Sequence, residues 1–321
     1  MSLAEELRAA AGDAGIVLAD LHDRRRIAVT GRDAFTFLQN LVTCDVRVVT
    51  LPHWSFGAVC TSKGRVSALF ELLRHGDGYL LQTDGSVAAA TLAALSRVIF
   101  RAKVDVADRS EEVAAVGIAG CHASGRLAGV APFVPAEPFE AWADIDVTLL
   151  RLPGSLPRFA LIGAGPAVRR VVEGLGDDVR EIGRDAWEWL EIEAGVPVVR
   201  EPTRDAFLPQ FLDMDRRGGL SFTKGCYPGQ EIVARTQHLG EPKRRLFRGT
   251  VEAIEPPAPG TVLRAVHDDG TRDGGTVVRA ALGPGGHVRL LAVVPLAERE
   301  SGRAIRLGTA DGPRVALEDL D

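Results

Sequence analysis

The string Lys224-Gly225-Cys226-Tyr227-Pro228-Gly229-Gln230-Glu231 gathers side chains that could do chemistry. A cysteine is a nucleophile or metal ligand only as its thiolate, and a nearby cation or a helix N-terminus favours that form. Lys224 stands two residues before Cys226. Gly225 and Gly229 permit backbone angles closed to other residues, and Pro228 fixes its own φ, so the cysteine rides on a shaped turn. Ile232-Val233-Ala234-Arg235 then opens a regular element as the turn ends. Lys224 and Cys226 are the candidate catalytic pair. The competing reading is a packed thiol, since unpaired cysteines commonly behave as small buried hydrophobes.

A second candidate is Glu193. Asp185 to Ala194 reads as a helix with Asp185 as N-cap, stopped by Gly195-Val196-Pro197. Glu193 would occupy the last turn, where the helix dipole disfavours negative charge. A third is the Arg101-x-Lys103-Val104 element, read as a strand over 101–106. Its two cations could meet an anion, or simply form the polar face of an alternating strand.

The elements that must position these groups follow from pattern. Arg24-Arg25-Arg26 leads into a strand ending at Gly31, and the arginines read as a solvated strand entry. Asp33 caps a helix carrying Phe37, Leu38 and Leu41 at helical spacing. Residues 56–83 form a β-meander around the turns at Ser62–Arg65 and His75–Gly78. A helix over 88–99 follows, and strands are expected at Val113–Gly120 and Arg158–Gly163. From Leu246 onward, six short β-runs between Pro/Gly turns predict a small antiparallel barrel. Lys243 to Arg248 is the densest basic cluster, a possible seat for a polyanion.

The chain has 321 residues and a net charge of −5, so polyanions would need a local basic patch. Its four cysteines contain no Cys-x-x-Cys pair, which excludes a zinc module and a disulfide framework and fits a reducing compartment. Cys44 and Cys60 read as structural, Cys121-His122 as incidental, and no metal site is expected. No signal segment or membrane span is apparent, so the expected location is the cytoplasm.

The cysteine string, continuing into Ile232-Val233-Ala234-Arg235, resembles the signature of the YgfZ-type folate-binding proteins. These are relatives of the glycine-cleavage T-protein (aminomethyltransferase) and include factors that help mature iron–sulfur enzymes. Gly31, Phe37, Leu38, Leu41, Asp45 and Val46 match the opening of T-protein-like domains. Leu190-Glu191-Ile192-Glu193-Ala194-Gly195 resembles the T-protein string whose glutamate binds the folate pterin, although Glu191 stands where that string has arginine.

The resemblance implies an α+β fold: two interleaved subdomains around a central channel (1–240), closed by a C-terminal β-barrel (241–321). It implies tetrahydrofolate or a one-carbon derivative as cofactor in that channel, with Glu193 on the pterin and Cys226 nearby. Arg101, Lys103, Tyr227 and Gln230 are the further cofactor-binding candidates. Expected partners are folate, iron–sulfur assembly proteins and their client enzymes, and tRNA, with no membrane.

One departure bears on activity. Aminomethyltransferases carry an Asp-Asp pair on the second meander strand, whereas Val66-Ser67-Ala68-Leu69-Phe70 contains no carboxylate, and Ser67 cannot do carboxylate acid–base work. Three readings stay open. They are a folate-dependent factor for iron–sulfur assembly or repair and tRNA modification, an aminomethyltransferase-like enzyme, and a non-catalytic folate-binding protein.

Overall fold

A computed structural model of the chain describes residues 2–11, 15–238, 240, 242–283 and 286–320. Helix α1 (Leu3–Ala11) and strand β1 (Val17–Asp20) come first. The chain then builds β2 (Arg24–Thr30), α2 (Ala34–Gln39), β3 (Ser55–Cys60), β4 (Val66–His75), β5 (Gly78–Asp84), α3 (Gly85–Arg97) and β6 (Asp105–Asp108). These five strands, β2 to β6, form one sheet in the order β3-β4-β5-β2-β6. Next come β7 (Val113–Ala119), α4 (Ala123–Leu127), β8 (Ala141–Ala143), β9 (Val147–Leu152), β10 (Arg158–Ala164), α5 (Gly165–Gly174) and β11 (Arg180–Ile182). They return to β1 and complete a six-stranded sheet in the order β11-β1-β7-β10-β9-β8. The two sheets are thus interleaved in the chain.

Helix α6 (Arg184–Glu193) and the later helix α7 (Gln230–His238) lead to β12 (Arg244–Glu252), β13 (Val262–His267), β14 (Gly270–Leu282) and β15 (His287–Pro295). Helix α8 (Leu296–Glu300), β16 (Ile305–Leu307) and β17 (Arg314–Glu318) end the chain. The last six strands close into the expected barrel, β12-β15-β14-β13-β16-β17, with β12 and β17 paired. Glu241, where the expected division of the chain falls, lies outside the described residues.

Four cores follow. One joins the inner faces of both sheets to α6 and the barrel wall through residues such as Leu69, Leu80, Ala160, Trp187, Val278 and Leu291. Two others lie on the outer sheet faces, under α2 and α3 and under α4 and α5. The fourth fills the barrel.

Two local expectations need correction. Arg24 and Arg26 are not solvated: Arg26 is 4% exposed, and its guanidinium donates to the carbonyls of Leu21, Arg24 and Ser110. Only Arg25 faces outward, paired with Asp108 and Glu111. A run of like charge on a strand alternates faces like any other residues, so two of the three turn inward. The 101–106 strand also starts late, at Asp105. Asp33 accepts the Lys103 N–H at 2.7 Å, and its own N–H donates to the Lys103 carbonyl. This side-chain capture displaces the sheet ladder, leaving Arg101 and Lys103 on a loop. A Cβ on Gly31, at φ 106°, would collide with that same carbonyl, which explains the glycine.

Candidate functional site

The cysteine loop is built as a clamp. Gly229 has φ 78°, and a Cβ there would strike the Thr61 carbonyl and the backbone of Gly64. The loop is therefore pressed onto the turn between β3 and β4. Tyr227 is buried beneath it while Cys226 is exposed, four residues ahead of the α7 N-terminus. Cys44 and Cys60 are buried, and desolvation pushes both thiols up to about 12. They are inert packing, as expected of them.

Lys224 does not face outward with Cys226. It is 6% exposed and its Nζ donates to the carbonyls of Val42 at 2.5 Å and Cys44 at 2.8 Å, 5.4 Å from the Tyr227 ring centre. Burial lowers its ammonium pKa to about 8, a shift that the Asp45 carboxylate partly opposes. The lysine pins the loop to the segment after α2.

Helix α6 presents two unlike faces. Glu188 and Glu191, one turn apart, point into the central cleft between sheets and barrel. There Arg279 donates to Glu188 at 2.9 and 2.6 Å and to Glu191 at 2.6 Å. Arg24 bridges Glu191 and Glu71, Gln82 donates to Glu71 at 2.5 Å, and Arg200 joins Glu188 to Asp84. Burial would raise the carboxyls of Glu188 and Glu191, but the surrounding arginines outweigh it and hold both well below the usual range. Glu71 goes the other way, raised by burial that Arg24 only partly offsets. This ladder fills the cleft and leaves only about 50 Å³ free. The central channel is present in outline and closed by charge.

The other face borders a cavity of about 380 Å³, lined by Leu7, Gly154, Leu156, Arg158, Trp189 and Leu190, with Glu193 and Ala194 at its end. Such a volume lies within the range of about 300–1,000 Å³ common for small-molecule sites. Arg158 is 1% exposed, and its Nε and Nη1 have no hydrogen-bond partner; the Trp189 indole N–H has none either. Burial lowers the Arg158 pKa to about 10. Glu193 accepts from Arg289 at 2.6 and 3.2 Å, and Arg248 donates to its main-chain carbonyl at 2.7 Å. These barrel cations offset the unfavourable end of the helix dipole and account for a carboxylate being tolerated there. Asp185 is not the N-cap; Gly183 is, and its N–H donates to Glu6.

The structure does not bring the expected site residues together. Glu193 borders the apolar cavity, whose lining includes none of Cys226, Tyr227, Gln230, Arg101 or Lys103. Gln230 opens α7, and the basic cluster after Lys243 is spent on Asp273, on Asp213 and Asp215, and on Glu318.

Comparison with known proteins gives this geometry a family. The GCVT N-terminal domain model matches residues 1–152. The tRNA-modifying protein YgfZ of Sodalis glossinidius is 33% identical over 281 residues, covering 87% of this chain and 85% of that protein. Its counterpart in Edwardsiella ictaluri is 32% identical over 282 residues, covering 87% and 84%. The chain belongs to the YgfZ family. A solved glycine cleavage system aminomethyltransferase T from Bartonella henselae covers 99% of this chain and 88% of its own, with TM-score 0.73 and 18% identity. It shares the fold. Among the described residues, no helix is long and apolar enough to cross a membrane.

Two features of this YgfZ-family chain escaped the sequence. The first is the charge ladder, whose one legible sign was the three-residue spacing of Glu188 and Glu191 among the apolar residues of α6. The second concerns the carboxylate missing from the second meander strand. Ser67 Oγ donates to Asp205 Oδ1 at 2.6 Å, and the Asp205 N–H donates to the Val66 carbonyl. A carboxylate thus reaches that place from a segment 138 residues away. No local pattern could have announced it.

Proposed function

We propose that this protein is a folate-dependent accessory factor for iron–sulfur cluster assembly or repair, linked to tRNA modification, with Cys226 as its reactive group. Tetrahydrofolate or a one-carbon derivative would occupy the apolar cavity beneath α6. The observation that carries the cofactor half is the pairing of unsatisfied donors with a carboxylate in one cavity. Arg158 and Trp189 keep unpartnered N–H groups within the wall of that cavity, and Glu193 lines it with a carboxylate. Trp189 adds a flat apolar wall. Bound there, the cofactor would supply one-carbon chemistry; the protein's part is to orient it and exclude water. The curated relatives named tRNA-modifying proteins support the tRNA half.

Calorimetric titration with tetrahydrofolate tests the cavity. Glu193→Gln should weaken binding by more than the roughly 1 kcal/mol of a neutral hydrogen bond, because a charged acceptor is lost. Equal affinity would remove Glu193 from the site. Limiting iodoacetamide with peptide mass spectrometry tests the thiol. Cys226 should label before Cys121, the other exposed cysteine, as well as before buried Cys44 and Cys60, and rescue of iron–sulfur enzyme activities in a knockout should fail with Cys226→Ala.

The Ser67–Asp205 pair favours a second reading, aminomethyl transfer, because it restores the carboxylate whose absence argued against that chemistry. A glycine-cleavage assay with the lipoyl carrier protein decides between them. Turnover abolished by Asp205→Asn would establish the transferase, and no turnover above background is the expected result.

A further inference from the structure

A third cavity, of about 310 Å³, lies on the outer face of the five-stranded sheet, between α2 and the segment that follows α3. Its floor is apolar, made by Phe37, Leu41, Val98 and Ala102, and its edge is polar, made by Asp33, Thr36 and Asn40. Beside it Phe100 stands 87% exposed, and Phe35 41%. A lone exposed phenylalanine needs no explanation, but this one sits in Arg97-Val98-Ile99-Phe100-Arg101-Ala102-Lys103, three cations without an acid. Arg97, Arg101 and Lys103 are all exposed, and none makes an ion pair among the described residues. Arg32 adjoins them, 4.0 Å from Asp33, whose carboxylate is already committed to the Lys103 N–H. On a molecule of net charge −5, this run of cations is a local reversal of sign.

We propose that this cavity takes an unstacked nucleobase of a single-stranded RNA segment. Phe100 stacks on that base or its neighbour, and Arg97, Arg101 and Lys103 hold the flanking phosphates. Single-strand recognition combines these same parts: a cationic track, an exposed ring, and a pocket whose polar edge can meet a base. An anionic membrane would use the ring and the cations but has no use for the polar edge of Thr36 and Asn40. The cavity also adjoins the cysteine loop through the chain. Leu41 lines it, and the carbonyl of the next residue, Val42, accepts Lys224 Nζ. The inference deepens the tRNA half of the proposed function and rests on it.

Fluorescence anisotropy with an unmodified tRNA transcript and a single-stranded oligoribonucleotide, over a salt series, tests it. Phe100→Ala should weaken binding about tenfold at unchanged salt slope, within the range for loss of one stacked base. Arg101→Ala with Lys103→Ala should lower the salt slope by about 1.4, two single-strand phosphate contacts. Both substitutions are on the surface, and an unchanged thermal melt confirms the fold. If wild type binds RNA and these variants bind equally well, the site is elsewhere while the tRNA reading survives. If wild type binds neither RNA, both fall. Binding to phosphatidylserine vesicles in place of RNA would make the patch a lipid contact and overturn the proposal.

Discussion

The two faces of α6 solve the problem of buried charge in opposite ways. Toward the cleft, Glu188 and Glu191 meet arginines from β2, the segment after α6, and the barrel, and every carboxylate oxygen of the pair has a cation. The space is filled and the three parts of the molecule are tied at one point. On the other face Arg158 is as deeply buried, yet it has no carboxylate partner and borders open volume. The first arrangement serves cohesion; the second keeps binding capacity in reserve. Arg158 spends only its Nη2, on the Pro153 carbonyl, and its two remaining unpartnered nitrogens make it the better guide to function.

Breaking the ladder should have the largest effect. Glu191→Ala leaves Arg24 to Glu71 alone and Arg279 to Glu188 alone, and since full loss of a buried partner costs about 3–5 kcal/mol, about 2–3 kcal/mol is expected here. Urea denaturation reads this directly; a loss under about 1 kcal/mol would mean that the network relaxes or hydrates.

Acid tests the same face. Because Glu188 and Glu191 have depressed pKa values in the fold, their stabilisation is fully present above the ordinary glutamate value of 4.5 and is lost progressively below it, as pH falls toward and through the folded values. Glu71, raised by burial, gains from protonation and opposes the trend. The stability of Glu191→Gln should therefore fall less steeply than that of wild type between about pH 5 and pH 3. Parallel curves would place the acid-sensitive groups elsewhere.

The cavity face should respond inversely. Arg158→Met removes a buried charge that has no ion-pair partner, at the cost of one hydrogen bond to the Pro153 carbonyl, so stability should change by less than about 1 kcal/mol or rise. Tetrahydrofolate affinity should nevertheless drop about tenfold, the equivalent of about 1.4 kcal/mol. Unchanged affinity would erase the contrast between the faces. The smallest expected effect is at Lys224. Lys224→Met should unpin the loop yet scarcely shift the pH profile of Cys226 labelling, since its ammonium is spent on two carbonyls. A clear upward shift of that profile would restore the lysine as the partner of the cysteine.

Much of the architecture was legible because it is written locally. The barrel strands, the meander and the glycine-shaped cysteine loop each follow from periodicity and turn residues over short windows. What stayed hidden is written across the chain. Arg24, Glu71, Glu191 and Arg279 look like ordinary surface charges until four distant segments converge. The same holds for Ser67 and Asp205. Lys224 misled for the opposite reason: closeness in sequence to Cys226 says nothing about which way a long side chain turns. Arg24 and Arg26 show that even a charge run is divided by strand alternation.

The interleaving of the sheets also sets an order of events during synthesis. β2 to β6 close their sheet with residues 24–108 alone, so that half can form while the rest is still being made. β1 cannot settle. Its neighbours are β7 and, in parallel, β11, with Val17 opposite both Ala119 and Arg180. The N-terminal strand must therefore wait, apolar and unpaired, until β7 has emerged some 100 residues later, and one of its edges stays open until β11 follows some 160 residues on; long-range pairing of this kind slows folding. For that interval Val17-Leu18-Ala19 is an exposed strand edge on a nascent chain, a place where a holding chaperone would find its grip.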